Sequence, residues 1–365
     1  MWTRANLWGV AVSCLLPACG TTARASDPWN MTKVQMVSRT QGWALAETPR
    51  GRVLLRTTDG GRDWGNVSPK SIWPLSPMQI KANEDYGIGA EGIDCYFLNG
   101  QTGWVAMEAR RQVVVPERTS HGGQIWKEKD LEDPMIVERT QDGGRHWRRS
   151  HLIDHVAVDL QVSFLDQRHG FILAVSDMAS GSTRKDLYRT GDGGRTWGAV
   201  TEDLPNYIDT IRVTFRTPLE GWLTAGYHGG DEVPFYRTED AGRHWHLQEI
   251  DTSPLYDNGY AITYPPLFFG ASRLTGILPV GFVAHSPERA GLALYQTPDA
   301  GRTWRFLRRF PIGNPLQNRE ADVEFIDART AWTLSEAGQP TASLLLTQDG
   351  GRHWHVVYPL RRKSH

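Results

Sequence analysis

Six near-copies of one nine-residue segment run through the chain. They are RTTDGGRDW at 56–64, RTQDGGRHW at 139–147, RTGDGGRTW at 189–197, RTEDAGRHW at 237–245, QTPDAGRTW at 296–304 and LTQDGGRHW at 346–354. A chain that rewrites one short unit about every 50 residues is confined to architectures of like modules packed side by side, because one module cannot bury its own apolar face.

Aligning the copies against one another separates fixed from free positions. Thr57, Thr140, Thr190, Thr238, Thr297 and Thr347 open the conserved core. Asp59, Asp142, Asp192, Asp240, Asp299 and Asp349 follow two residues on, and Trp64, Trp147, Trp197, Trp245, Trp304 and Trp354 close it. The position after Asp accepts Ala241 and Ala300, so it is expected to need no positive φ. The next is always Gly (Gly61, Gly144, Gly194, Gly242, Gly301 and Gly351), as the left-handed residue of a tight turn requires. The Asp carboxylate is expected to accept backbone N–H groups inside the turn, and the Trp to fill the space between packed units. Upstream lie Gly-aromatic pairs (TQGWAL, QTGWVA, RHGFIL, LEGWLT), with RTAWTL and the weaker LTGILP in the last two units. Before these come alternating stretches such as KVQMVS, DCYFLN, LQVSFL, IRVTFR and DVEFID. Period-two alternation broken by turn residues reads as strands. Each unit then reads strand A, turn, strand B, loop, strand C, Asp turn, strand D. The expected fold is all-β, a six-bladed propeller of four-stranded antiparallel blades over residues 30–360.

The T-x-D-x-G-x-x-W core resembles the Asp box, or bacterial neuraminidase repeat. Thr196 and Thr303 match its usual Thr before Trp, whereas Asp63, His146, His244 and His353 depart from it. The longer unit GWALAETPRGRVLLRTTDGGRDW is similar to the repeat of photosystem II stability and assembly factors and their bacterial relatives. The resemblance implies a propeller with Asp-box turns. It implies no single activity, since propellers host enzymes and binding modules alike.

The first residues read as a targeting segment. MWTRAN carries one cation, and LWGVAVSCLLPA runs from Leu7 to Ala18 uncharged. That is too short to span a bilayer, which needs about 20 apolar residues, and it suits a secretory signal. It ends in LPAC, which resembles the bacterial lipobox. Residues 1–18 are therefore expected to be a lipoprotein signal, Cys19 the lipidated first mature residue, and 19–29 a flexible tether. The protein is then exported and anchored at the extracytoplasmic face of a bacterial membrane. Cys14 goes with the signal and Cys19 to the lipid, so Cys95 has no partner for an intrachain disulfide.

A formal net charge of −1 points to no nucleic-acid partner. The six Asp cannot converge on one substrate, because successive C–D turns lie around a rim, so they read as structural. The Arg after each turn Gly (Arg62, Arg145, Arg195, Arg243, Arg302 and Arg352) forms a ring of cations on that rim. Function is expected on the opposite face, where the B–C and D–A loops are longest. These include an insertion around Trp126 and loops carrying Tyr86, His228, Asp231, Tyr256 and Tyr260, the candidate ligand-binding residues. Aromatic rings among Gly, Asn and Asp suit a protein or glycan partner. HLIDH, with His151, Asp154 and His155, falls where a strand runs into a connector and is not read as a metal site. No cofactor, metal or catalytic set is expected, and the chain reads as a monomeric binding or assembly module. The alternative is a glycoside hydrolase, sialidase-like or related, drawing carboxylates from Asp231, Glu232, Asp257 or Glu320 of the loops.

The anchor has a direct test. Cys19→Ala should abolish processing and lipid labelling, since attached acyl chains contribute about 0.8 kcal/mol per buried methylene. Mass spectrometry of the mature N-terminus reads the outcome. An unmodified terminus at or after Thr21 would show a secreted protein instead.

Overall fold

The alternating stretches form six antiparallel sheets, each built from one continuous stretch of chain, arranged as the blades of a six-bladed propeller. The computed structural model describes residues 29–48, 51–72, 92–107, 111–118, 124–131, 135–153, 159–179, 182–201, 204, 209–226, 233–252, 259–270, 272–284, 291–311, 323–335 and 343–359. The innermost strands A are Asn30–Met36, Ile93–Phe97, Asp159–Phe164, Asp209–Phe215, Gly259–Thr263 with Leu267–Phe269, and Val323–Phe325. Strands B begin at the Gly-aromatic pairs: Gly42–Thr48, Gly103–Met107, Gly170–Ala179, Gly221–Gly226, Thr275–Ala284 and Ala331–Ser335. Strands C lead into the Asp turns and are Gly51–Thr57, Met135–Thr140, Ser182–Thr190, Phe235–Thr238, Gly291–Thr297 and Ser343–Thr347. The outer strands D follow the turn Trp.

Blade 5 appears five-stranded, but its two inner pieces pair successively with one neighbour: Gly259–Thr263 against Val280–Ala284, and Leu267–Phe269 against Thr275–Ile277. They are one strand A, interrupted where Pro265 and Pro266 cannot donate to the ladder. The insertion around Trp126 is a hairpin, Arg111–Arg118 with Gln124–Leu131, in which Pro116 faces Trp126.

Each Asp turn is held by the same node. The buried Thr Oγ1 donates to the Asp Oδ1 at 2.8–2.9 Å in all six blades and accepts the N–H of the invariant Gly at 2.9–3.0 Å. Asp Oδ1 also accepts the N–H of the residue before Trp, as from Thr196 at 3.0 Å. At the Asp192 carboxyl, partial burial acts upward. Hydrogen bonds from Thr196, Thr190 and Arg195 outweigh it and hold the group at about 2. The His departures from Thr before Trp keep the chemistry, whereas Asp63 contributes only its backbone N–H, to Asp59 Oδ1 at 3.1 Å. Thr196 and Thr303 donate Oγ1 to Asp Oδ2 at 2.7 Å, and His146, His244 and His353 bring Nδ1 to within 2.6 Å of the same oxygen.

One expectation is corrected here. The residue after Asp also adopts positive φ: Ala241 lies at 67° and Ala300 at 65°, beside Gly60 at 82° and Gly143 at 71°. Ala is accepted because a single left-handed residue costs only about 1–2 kcal/mol, which the turn's hydrogen bonds offset. That left-handed residue then donates its N–H to the A–B turn of its own blade, as Gly60 to Thr40 O at 2.9 Å and Ala241 to Leu219 O at 2.8 Å. The C–D and A–B hairpins of a blade are thereby tied together on one face.

A second correction concerns Trp. The turn Trp are only partly buried, apart from Trp304, and several bond back to their own turn, as Trp64 Nε1 donates to Gly61 O at 2.9 Å. The rings sealed between blades are those of strand B: Trp43, Trp104, Trp222 and Trp332, each at most 1% exposed. Trp43 stacks on Phe97 of the next strand A at 3.8 Å, Trp104 on Phe164 at 3.5 Å and Phe171 on Phe215 at 3.5 Å, all within 8° of parallel. The turn Trp of the receiving blade meets the same Phe edge-on, as Trp147 does Phe97. The ring closes where Trp332 of blade 6 packs with Met36 of blade 1. Across that junction Trp29 N–H donates to Tyr358 Oη at 2.8 Å.

Trp104 also donates Nε1 to Gly193 O of the next blade at 2.9 Å. Trp104→Ala should therefore cost about 3–5 kcal/mol, and Trp197→Ala clearly less. Urea unfolding of both variants checks the order, and equal midpoints would remove the distinction.

Candidate functional site at the central channel

Strands A have an unpaired inner edge, and six such edges face one another around the axis. Between them lies a channel of about 310 Å³. Its polar lining comes from alternate strand-A positions, Lys33 and Gln35, Tyr96, Gln161 and Ser163, Arg212 and Thr214, and Glu324, while blade 5 contributes the apolar Pro265, Pro266 and Leu267. The intervening residues (Val34, Met36, Cys95, Phe97, Val162, Phe164) enter the apolar layers between blades. The sequence carries this signal, since KVQMVS, LQVSFL and IRVTFR place their polar residues on one side. It was legible as alternation but not as a lining, because nothing local says which side meets the axis.

The polar groups tie each blade to the next. Gln35 pairs its amide with Phe97, accepting the N–H at 2.7 Å and donating to the C=O at 3.3 Å. Lys33 Nζ forms a buried ion pair with Asp94 Oδ1 and donates to Cys95 O at 3.0 Å. Asp94 Oδ2 accepts the N–H of Val162 at 2.8 Å and has Arg212 Nη1 at 3.9 Å. One carboxylate thus joins blades 1, 2, 3 and 4, with its oxygens engaged on both sides. Asp159 opens strand A of blade 3, on the face of the D–A loops. Crowding by protein and the neighbouring Asp94 push its carboxyl up, against the pull of Arg212 and Lys33. Burial, then Glu324, raises the Tyr96 phenol to about 12, and burial raises the Cys95 thiol to about 12. Both stay protonated at neutral pH.

Of the loop residues singled out from sequence, Tyr86, His228, Asp231 and Tyr256 lie outside the described residues, as do Glu232, Asp257 and Glu320. Trp126 and Tyr260 fall within strands, the latter facing Val283. Cys19 also lies outside the described residues. Among the described residues, no group of three His, Cys, Asp or Glu is gathered to hold a metal, and no helix is long and apolar enough to cross a membrane. The six turn Arg are exposed around the opposite rim, where Arg62 bonds back to Asp59 O at 2.9 Å. A different Arg was missed from sequence: the one before the turn Thr. Arg56 lies 5.5 Å over Trp43 and donates to Gly143 O and Gly100 O of the next blade at 3.3 and 3.2 Å. Arg139 and Arg237 sit over Trp104 and Trp222 in the same way.

No family model and no curated protein sequence matches the chain. Solved structures do. A structure described as YCF48 bound to D1 peptide is 17% identical, with 91% of this chain and 83% of that chain covered and a TM-score of 0.47. The GH74 enzyme of Niastella koreensis is 12% identical with a TM-score of 0.50; the match covers 90% of this chain but only 45% of that one. A polysaccharide lyase of family PL25, an ulvan lyase, is 10% identical with a TM-score of 0.48, and 90% and 84% of the two chains are covered. The likeness to the Niastella enzyme shows a shared fold.

The channel cluster yields a stability test. Asp94→Ala leaves Lys33 buried beside Arg212 without their shared counter-ion, and removing one member of a buried pair costs about 3–5 kcal/mol. Urea unfolding should report a loss of that size. An unchanged midpoint would mean the cluster does not hold the blades together.

Proposed function

We propose that this chain is a non-enzymatic Asp-box propeller related to the photosystem II stability and assembly factors. A lipid on Cys19 holds it at the extracytoplasmic face of a bacterial membrane. It binds a protein or glycan partner at the loop-side mouth of its channel. The observation that supports the binding role is the state of Asp94. A carboxylate whose oxygens are already engaged by Lys33 and the Val162 N–H, with Arg212 nearby, is held in place and suits orienting a ligand. Around it the Gln, Ser and Thr side chains offer both donors and acceptors, which suits peptide backbone or sugar hydroxyls.

A second reading, glycoside hydrolysis, is favoured by one feature. Asp159 has its carboxyl raised by burial and by the neighbouring Asp94, and a raised carboxyl beside a second one is the starting point for acid and base roles. The mature protein, screened on peptide and glycan arrays, should retain ligands whose binding falls about tenfold in Arg212→Ala, as for loss of one charged hydrogen bond. Hits indifferent to Arg212→Ala would move the site away from the channel. Release of reducing sugar from a polysaccharide, lost in Asp159→Asn, would replace the binding reading with the hydrolytic one.

A further inference from the structure

The six blade junctions are built on one plan, and blade 5 breaks it. At the first, second and fourth junctions the packing has three layers. The strand-A ring of the next blade carries the strand-B Trp, and the strand-C Arg lies over the Trp at 5.2–5.9 Å. The third junction keeps the ring pair, Phe171 on Phe215. The sixth keeps Trp332. At the fifth, the Trp position is Ile277, which packs with Phe325 of blade 6, and the residue paired with it on strand C is Gln296, exposed to solvent. Both outer layers are missing together. In their place is a cleft of about 760 Å³ whose lining includes Ile277, Gln296, Arg305, Leu307, Ile326 and Asp327.

The rim of this junction is nevertheless complete. Elsewhere the strand-C Arg also caps the next blade's turn, as Arg56 lies against Gly143. At blade 5 that task passes to Arg308 of strand D, whose guanidinium lies against Gly350 in the same manner. The cap has been rebuilt from another strand while the space beneath it stays open. A junction merely decayed from the repeat would have lost both.

The surroundings select an occupant. Of the six large apolar side chains exposed among the described residues, Leu307 lines the cleft, together with Phe268, Phe269 and Ile277. Arg305 is exposed in the lining of the cleft, and Arg329 is exposed on the facing turn of blade 6. The acid in the lining, Asp327, has Arg39 at 3.6 Å. The opening is therefore an apolar slot with a cationic border.

We propose that the cleft between blades 5 and 6 is a binding site for an aromatic side chain, indole before phenol, presented by an acidic polypeptide segment. The partner's ring enters the space that Trp fills at sister junctions, against Ile277 and Gln296 and beneath the Arg308 cap. Its flanking carboxylates meet Arg305 and Arg329. The site lies on the Asp-turn face, away from the loop-side mouth of the channel, with Ile326 bordering both cavities.

The test uses saturation-transfer NMR on the mature protein with three probes: acetyl-Glu-Trp-Glu-amide, acetyl-Glu-Ala-Glu-amide and acetyl-Lys-Trp-Lys-amide. The first should bind saturably, the other two at least about tenfold more weakly. Ile277→Trp combined with Gln296→Arg rewrites the junction to the plan of its sisters. It should abolish indole binding while leaving the melting temperature equal or higher. Should the double variant not fold, Gln296→Arg alone changes only an exposed position and should weaken binding in the same direction. Arg212→Ala, in the channel, should leave indole binding unchanged. Equal binding of the Trp and Ala peptides, no saturable binding of the first, binding intact in a folded refilled variant, or loss of binding in Arg212→Ala would each overturn the proposal.

Discussion

The threonine hydroxyl that ends each strand C is the point on which the rest of the structure depends. It is buried, so both its hydrogen-bonding roles must be met inside the protein. It meets them by donating to the turn Asp and accepting from the turn Gly, and this fixes two successive left-handed residues. The first of these can then reach the A–B turn of the same blade. Two hairpins are thereby locked as one rigid sheet, and only a rigid sheet can present its strand-B ring to the next blade at stacking distance. The six Asp are consumed by this task, each with its carboxylate committed to its own turn.

Ring closure leaves one problem that turns do not solve. Six inner edges carry backbone groups with no strand to pair with, and an unpaired buried amide costs about 1–3 kcal/mol. The side chains of Gln35 and Asp94 take the place of the absent strand by bonding to Phe97 and Val162 of the following blade. The same residues make the channel polar. Stability of the inner edge and a surface able to hold a polar ligand come from one set of side chains, which is why the lining must be tested by binding and stability together.

Departures from the repeat divide by what compensates them. His146, His244 and His353 replace Thr without loss, because an imidazole nitrogen reaches the same Asp oxygen that a hydroxyl does. Pro265 and Pro266 break strand A of blade 5, and the strand resumes at Leu267. Ile277 and Gln296 are different. The cap is replaced by Arg308 but the removed volume is not refilled.

The sequence by itself determined the number of blades, the strand pattern and the position of each Asp turn. These depend on local chemistry that repeats: a Gly where φ must be positive, an Asp within reach of its own backbone, and alternation with a period of two. It also held the weak spot, LTGILP, in plain view. Only the tertiary structure decided which Trp is sealed, because Trp43 and Trp64 are equally apolar and differ in whether a neighbouring blade covers them. It alone showed that the second turn position is left-handed even when occupied by Ala, since that conformation is imposed by a hydrogen bond to another hairpin. And it alone gathered Lys33, Asp94 and Arg212, from three blades and far apart in the chain, around one axis. No spacing in the sequence encodes that meeting, because the closing of the ring, and not any local preference, brings those strands face to face.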